Sequence, residues 1–128
     1  MKYDIYTKKI LLSMAVLLLY SCNRKVKSTD IQIVGDDIVY KNQNFTGQVW
    51  SKDGKSLVIE VSDGRPVKIT LFHKNGNPAL VSTLFLHDGK VKHYDINGYE
   101  MDKGDWLRKY PDIREKRRIM DEEFPIER

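Results

Sequence analysis

Residues 50–76 read WSKDGKSLVIEVSDGRPVKITLFHKNG, in which two short runs rich in Val, Ile and Leu are separated by Gly-containing dipeptides. Apolar and polar residues alternate within the runs, and Leu57, Ile59 and Val61 share one parity. Such alternation predicts strands with one buried face and one solvated face. Asp-Gly and Asn-Gly dipeptides are typical of type I′ hairpin turns, in which both central residues take positive φ. The stretch therefore predicts antiparallel strands joined by tight turns.

The same organisation continues toward the C-terminus. Strands are predicted over 55–62, 65–74, 77–87 and 90–96, because each of these runs is bounded by turn dipeptides. The dipeptides are Asp53-Gly54, Asp63-Gly64, Asn75-Gly76, Asp88-Gly89 and Asn97-Gly98. The chain is therefore predicted to be mainly β, with residues 31–101 forming an antiparallel β-hairpin meander in a single twisted sheet.

An internal repeat reinforces this prediction. An aromatic residue, two further residues, Asp or Asn, and Gly recur with a spacing of 22 residues. The three aromatic and glycine pairs are Trp50 with Gly54, Phe72 with Gly76, and Tyr94 with Gly98. Each unit is predicted to be a β-hairpin. We expect the rings to pack across the hairpins onto their neighbours and to build the core of the repeats, in preference to forming a ligand-stacking platform.

The hairpin array resembles the MORN-repeat variant family, which includes antitoxin-like lipoproteins of Bacteroidetes-type bacteria. Phe45-Thr46-Gly47 stands ahead of the first copy and matches the aromatic-Thr-Gly step that often opens the first repeat of that family. The resemblance covers about residues 36–101. It implies a hairpin-repeat fold and a binding role, which points to an immunity or antitoxin-like activity.

The C-terminal segment, residues 102–128, has a helical pattern. Six residues follow one another at steps of three and four, and all but Arg117 are apolar: Trp106, Tyr110, Ile113, Arg117, Met120 and Phe124. A helix is predicted from near Pro111, which suits a first helical position, to near Glu123. We expect its apolar stripe to cover the open face or end of the sheet.

The N-terminal segment predicts export. A cationic start and an apolar run over residues 10–20 have the form of a signal peptide, and the run is too short to span a bilayer. Leu19-Tyr20-Ser21-Cys22 resembles a bacterial lipobox, which implies that Cys22 carries a diacylglyceryl group after cleavage of residues 1–21. The alternative is that Cys22, the single cysteine of the chain, is an ordinary free thiol near a plain secretory signal or anchor helix. Residues 22–30 are polar and are predicted to be a tether.

Charge limits the classes of partner. The formal net charge is +4, and the signal segment supplies +2 of it through Lys2, Lys8, Lys9 and Asp4, so +2 remains for the rest of the chain. Charges of both signs are mixed along that remainder, which does not predict nucleic-acid binding.

Catalytic motifs are not found in the sequence, which holds no phosphate-binding Gly-x-x-x-x-Gly-Lys loop, no His-Glu-x-x-His and no Gly-x-Ser-x-Gly. His73, His87 and His93 could share a sheet face and bind a metal, but scattered strand histidines are the favoured interpretation. We therefore expect no cofactor, no metal and no enzymatic activity.

These patterns together predict a non-catalytic lipoprotein of the bacterial cell envelope, anchored to the outer membrane through Cys22, with the periplasmic face favoured over the surface. Its hairpin repeats are predicted to bind a protein or an envelope polymer, in an antitoxin-like or immunity-like role. The alternative is a structural accessory lipoprotein of an envelope complex.

Overall fold

The computed structural model describes residues 24–83 and 86–124, so the predicted signal helix and Cys22 lie outside the described residues. The strands are β1 (Lys25–Lys27), β2 (Gln32–Val34), β3 (Asp37–Tyr40), β4 (Gln43–Asn44), β5 (Gly47–Trp50), β6 (Leu57–Ser62), β7 (Arg65–Phe72), β8 (Pro78–Ser82), β9 (Val91–Tyr94) and β10 (Glu100–Met101). A 3₁₀ turn covers Ser28–Asp30, and two helices, α1 (Lys103–Lys109) and α2 (Asp112–Glu123), follow the strands.

The main sheet has seven strands in the order β1-β5-β6-β7-β8-β9-β10. From β5 to β10 every neighbouring pair is antiparallel and consecutive in the chain. The predicted fold class, a mainly β meander with a C-terminal helix, is therefore confirmed. The strands predicted after residue 55 are present, although each is shorter than its sequence run.

The 22-residue repeat corresponds to three successive hairpins, β5–β6, β7–β8 and β9–β10. The first strand of each hairpin ends at a repeat aromatic residue, Trp50, Phe72 or Tyr94. The turn that follows is closed by a hydrogen bond from the repeat glycine amide to the carbonyl three residues earlier, at 2.8–3.0 Å in the three copies. The three repeat turns therefore lie at the same end of the sheet, and equivalent residues of the repeat occupy equivalent positions there.

The predicted type I′ turn is confirmed for Asp63-Gly64 and is wrong for the other four dipeptides. Neither Asp88 nor Gly89 has a positive φ. Asp63 and Gly64 both take positive φ, 48° and 81°, as a type I′ turn requires. In the repeat turns only the glycines are positive, with φ of 70–92°, because each glycine is the last residue of its turn. A second pair with positive φ, Lys41 and Asn42, joins β3 to β4 without any glycine and was not indicated by a turn dipeptide.

Two predictions about the N-terminal part need correction. Residues 22–30 are not a polar tether throughout, because β1 pairs in parallel with β5 and Val26 packs against the core. The strands also do not form a single sheet, since β2, β3 and β4 make a separate three-stranded sheet. Ile38 of β3 and Phe45, which directly follows β4, are almost fully buried in the common core, and the Ile38 amide donates to the Gly64 carbonyl at 2.7 Å.

One face of the main sheet is covered by the two helices. Five helical-segment side chains are at most 9% exposed and join the core, namely Trp106, Tyr110, Ile113, Met120 and Phe124. The helix predicted from near Pro111 to near Glu123 is confirmed as α2. The preceding helix α1 was not predicted, although Asp102 caps it by accepting hydrogen bonds from the Gly104 and Asp105 amides.

Candidate functional site

The candidate surface is the sheet face opposite the helices, here called the open face. Pairing registers place a continuous row of side chains across six strands on this face. The row consists of Lys27, Trp50, Val58, Thr70, Val81 and Lys92. No helix or strand among residues 24–83 and 86–124 is packed over it as α1 and α2 are packed over the other face.

Two of the repeat aromatics stack on each other across the open face. The rings of Trp50 and Phe72 are nearly parallel, at 12°, with centroids 5.5 Å apart. Trp50 Nε1 donates to Gln48 Oε1 at 3.2 Å, which fixes the indole along its strand. Val58 and Thr70, which share the row with Trp50, are each only 6% exposed. The surface is therefore apolar at its centre.

The prediction that the repeat rings build the core is wrong in its location. Trp50, Phe72 and Tyr94 are each half-buried and do not belong to the buried core cluster, which lies on the other side of the sheet. The alternation of side chains along each strand explains the position of the rings. Trp50 follows the buried Val49 and Phe72 follows the buried Leu71, so both rings must point to the opposite face.

Lysines surround the apolar centre of the open face. Registers place four lysines on the described part of this face, Lys25, Lys27, Lys68 and Lys92, against two glutamates, Glu60 and Glu100. One glutamate is already compensated, because Glu60 Oε2 lies 3.6 Å from Lys68 Nζ. The excess of positive charge favours a partner with acidic groups. Lys25 and Lys27 were missed from the sequence because β1 was not predicted, although Lys-Val-Lys has strand alternation.

The turn residues of the repeat have structural roles. Asp53 accepts hydrogen bonds from the Ser51 and Ser56 hydroxyls and from the Lys55 and Ser56 amides. Burial acts to raise the pKa of Asp53, but these hydrogen bonds outweigh it and hold the pKa well below its usual range. Gly54, Gly76 and Gly98 close the turns and leave space around their Cα atoms. These residues therefore determine the shape of the turns at one end of the strands.

The three histidines do not come together. His73 and His93 are buried under the helices, where His73 lies 4.5 Å from the Tyr110 ring and His93 lies 4.8 Å from the Trp106 ring. His87 is exposed in the loop between β8 and β9. Within residues 24–83 and 86–124 there is no group of three or more His, Cys, Asp or Glu side chains placed to hold a metal ion.

The position of His93 gives the fold a predicted pH dependence. Burial and the charge of Lys103 lower the pKa of His93, Asp102 opposes the shift, and Arg117 adds to it. The unfolded chain therefore binds a proton at His93 more readily than the folded chain does. The contribution of neutral His93 to the free energy of unfolding is fully present above about pH 6.5 and is lost as the pH falls toward the folded-state pKa. Thermal unfolding followed by circular dichroism at pH 7.5 and pH 5 should show this loss. His93→Phe keeps a ring against Trp106 and should reduce the pH dependence; an unchanged dependence would exclude His93 as its source.

Comparison of the chain with protein-family models, with curated proteins and with solved structures found no match. The resemblance to the MORN-repeat variant family therefore stays a prediction. None of the helices described here is long and apolar enough to cross a membrane.

Proposed function

We propose that this protein is a lipid-anchored, non-catalytic binding module of the bacterial cell envelope, and that its open face holds a macromolecular partner. The observation that carries the proposal is the contrast between the two sheet faces. One face is sealed by two helices, whereas the other presents a stacked Trp50–Phe72 pair among lysines. Exposed apolar patches bordered by polar residues are typical of interaction sites.

The shape of the open face favours a macromolecule over a small ligand. A hollow of about 580 Å³ lies at the β1 end of this face, lined in part by Lys25, Lys27 and Trp50. The row of side chains continues across six strands, beyond the reach of a ligand held in that hollow. Aromatic residues are enriched at the centres of protein interfaces, and the lysines favour an acidic partner surface. The favoured partner is a protein with acidic and apolar groups. An immunity role would follow if that partner is a toxin, and an accessory role if it is a permanent envelope complex.

The anchor is tested through Cys22. In the proposed form the thiol carries the acyl group, so Cys22→Ser should abolish acylation and release the protein from the detergent phase. Intact mass spectrometry and detergent partitioning of the wild type and the variant measure this directly. A processed wild-type chain with an unmodified Cys22 would contradict lipid anchoring and would leave the free-thiol alternative.

The open face is tested by affinity capture from cell envelopes, followed by mass spectrometry. We expect a protein partner for the wild type and an interaction weakened at least tenfold for the double variant Lys68→Glu with Lys92→Glu. Such a loss corresponds to about 1.4 kcal/mol. The control double variant, Lys103→Glu with Arg114→Glu, changes the net charge by the same amount at exposed helix positions and should retain the partner. Equal loss for both double variants would assign the effect to net charge, and retention of a glycan without a protein would support an envelope-polymer ligand instead.

A further inference from the structure

The connection between the anchor and the sheet is unusually short. Arg24 is already fixed, because its carbonyl accepts a hydrogen bond from the Gln48 amide at 2.7 Å. The next three residues, Lys25–Lys27, pair with Gln48, Val49 and Trp50 of β5. Asn23 alone separates Arg24 from Cys22. Two residues of chain span at most about 7 Å, so an acylated Cys22 holds the β1 edge of the sheet next to the lipid head groups.

The packing around β1 makes this short connection firm. Gly47 has no side chain at the point where the Arg24 carbonyl passes, and a Cβ there would lie only 2.5 Å from that oxygen. The Arg24 guanidinium lies 4.9 Å from the centre of the Tyr40 ring, which adds a cation–π contact. Val26 packs against the core. Residues 24–27 are thus part of the folded domain, so an acylated Cys22 would keep the domain close to the membrane.

The open face begins at this same edge. Its central row starts at Lys27 on β1 and reaches Lys92 on β9, five strand spacings away. At about 4.8 Å per strand this row extends about 24 Å. With a connection of about 7 Å, this central row stays within roughly 30 Å of the anchor point.

We infer that the partner of the open face is a protein embedded in the same membrane, which presents an acidic and apolar surface close to the bilayer. This inference rests on the proposed lipid anchoring and on the proposed binding role of the open face. A short, firm connection fixes the height of the lysines and of the Trp50–Phe72 stack. When the distance of the open face from the bilayer is fixed, its effective concentration rises for a partner that is held at the same distance from the bilayer. A partner that diffuses freely in the periplasm gains nothing from that restriction.

The test inserts a flexible spacer into the lipid-anchored protein. A 21-residue Gly/Ser segment placed between Asn23 and Arg24 has a root-mean-square length of about 25 Å, against about 7 Å for the natural connection. Because the accessible volume grows steeply with length, capture of a membrane-embedded partner should fall roughly tenfold. The matched control carries the same 21 residues after Arg128 and should capture as much partner as the wild type. Chemical crosslinking in intact cells, followed by quantitative mass spectrometry, measures the capture.

A second measurement identifies the class of partner. Membranes washed with alkaline carbonate retain integral proteins and lose peripheral ones, and the captured protein should remain with the washed membranes. A partner released by carbonate, a retained glycan, or undiminished capture by the spacer variant would each overturn the inference. Failure of the anchor itself is recognised separately, because intact mass would then show Cys22 without an acyl group.

Discussion

A chain that ends at Met101 is expected to lose cooperative unfolding and to aggregate. Deletion of α1 and α2 removes the five buried side chains that cover the inner sheet face, where Ile59, Ile69 and Leu71 would then be exposed. Loss of one large buried apolar side chain costs about 2–5 kcal/mol, and domains of this size have only about 5–15 kcal/mol in total. Size-exclusion chromatography and thermal circular dichroism measure the effect. A monomeric truncated chain that unfolds like the parent would show that the helices form an independent arm.

A point variant gives the same test in graded form. Ile113 is 1% exposed, and Ile113→Ala should lower the free energy of unfolding by about 2–5 kcal/mol in urea titrations. Ile119 lies on the same helix but is only half-buried, so Ile119→Ala is the matched control and should cost clearly less. Equal effects at the two positions would mean that the helix is not packed through the Ile113 side.

Gly47→Ala is expected to release the edge strand β1. Gly47 has a φ of 146°, and a Cβ would lie 2.5 Å from the Arg24 carbonyl oxygen and 2.9 Å from Phe45 Cζ. Neither a backbone carbonyl nor a buried ring can move aside cheaply, so we expect a loss of about 3 kcal/mol or more in the free energy of unfolding. The Gln48 amide, which donates to Arg24, should also lose protection from hydrogen exchange. Urea titration and amide exchange measure these two effects.

Gly76→Ala is the matched control for this variant. Gly76 also has a positive φ, 88°, but a Cβ would meet nothing within 4 Å. Its cost is therefore the conformational penalty alone, about 1 kcal/mol. If Gly47→Ala cost no more than Gly76→Ala, the close approach of β1 to Gly47 would have no energetic importance.

Local patterns in the sequence were enough to predict the meander. Each hairpin forms between neighbouring runs, and the turn dipeptides mark where one strand ends and the next begins. The pairing of β1 with β5 was not predictable in the same way. It joins Val26 to Val49 across more than 20 residues, and a three-residue strand with two lysines carries little hydrophobic signal. The strands β2, β3 and β4 pair with their immediate neighbours in the chain, but they are only two to four residues long and no glycine stands in the turn between β3 and β4.

The sequence drew attention to the rings of the candidate site but predicted a core role for them, and it did not predict the lysines of β1. The 22-residue spacing singled out Trp50, Phe72 and Tyr94, yet a spacing does not say which sheet face a ring occupies. The face of each ring depends on which alternate residues of its strand point toward the helices. Here those residues include Val49 and Leu71, so the rings next to them point away from the helices. The lysines of β1 join the site only through the long-range pairing. The proposed binding surface therefore depends on long-range contacts that local patterns do not contain.

The parallel edge strand also determines how the proposed lipoprotein would respond to mechanical force. Tension between a bound partner and the lipid would enter the fold at Arg24 and load β1 before any other element. Detachment of residues 24–30 would lengthen the connection by about 20 Å. The pairings from β5 to β10 do not involve β1 and would not be broken directly. β1 would then act as a built-in extensible element, which yields under load and rebinds β5 when the load is removed.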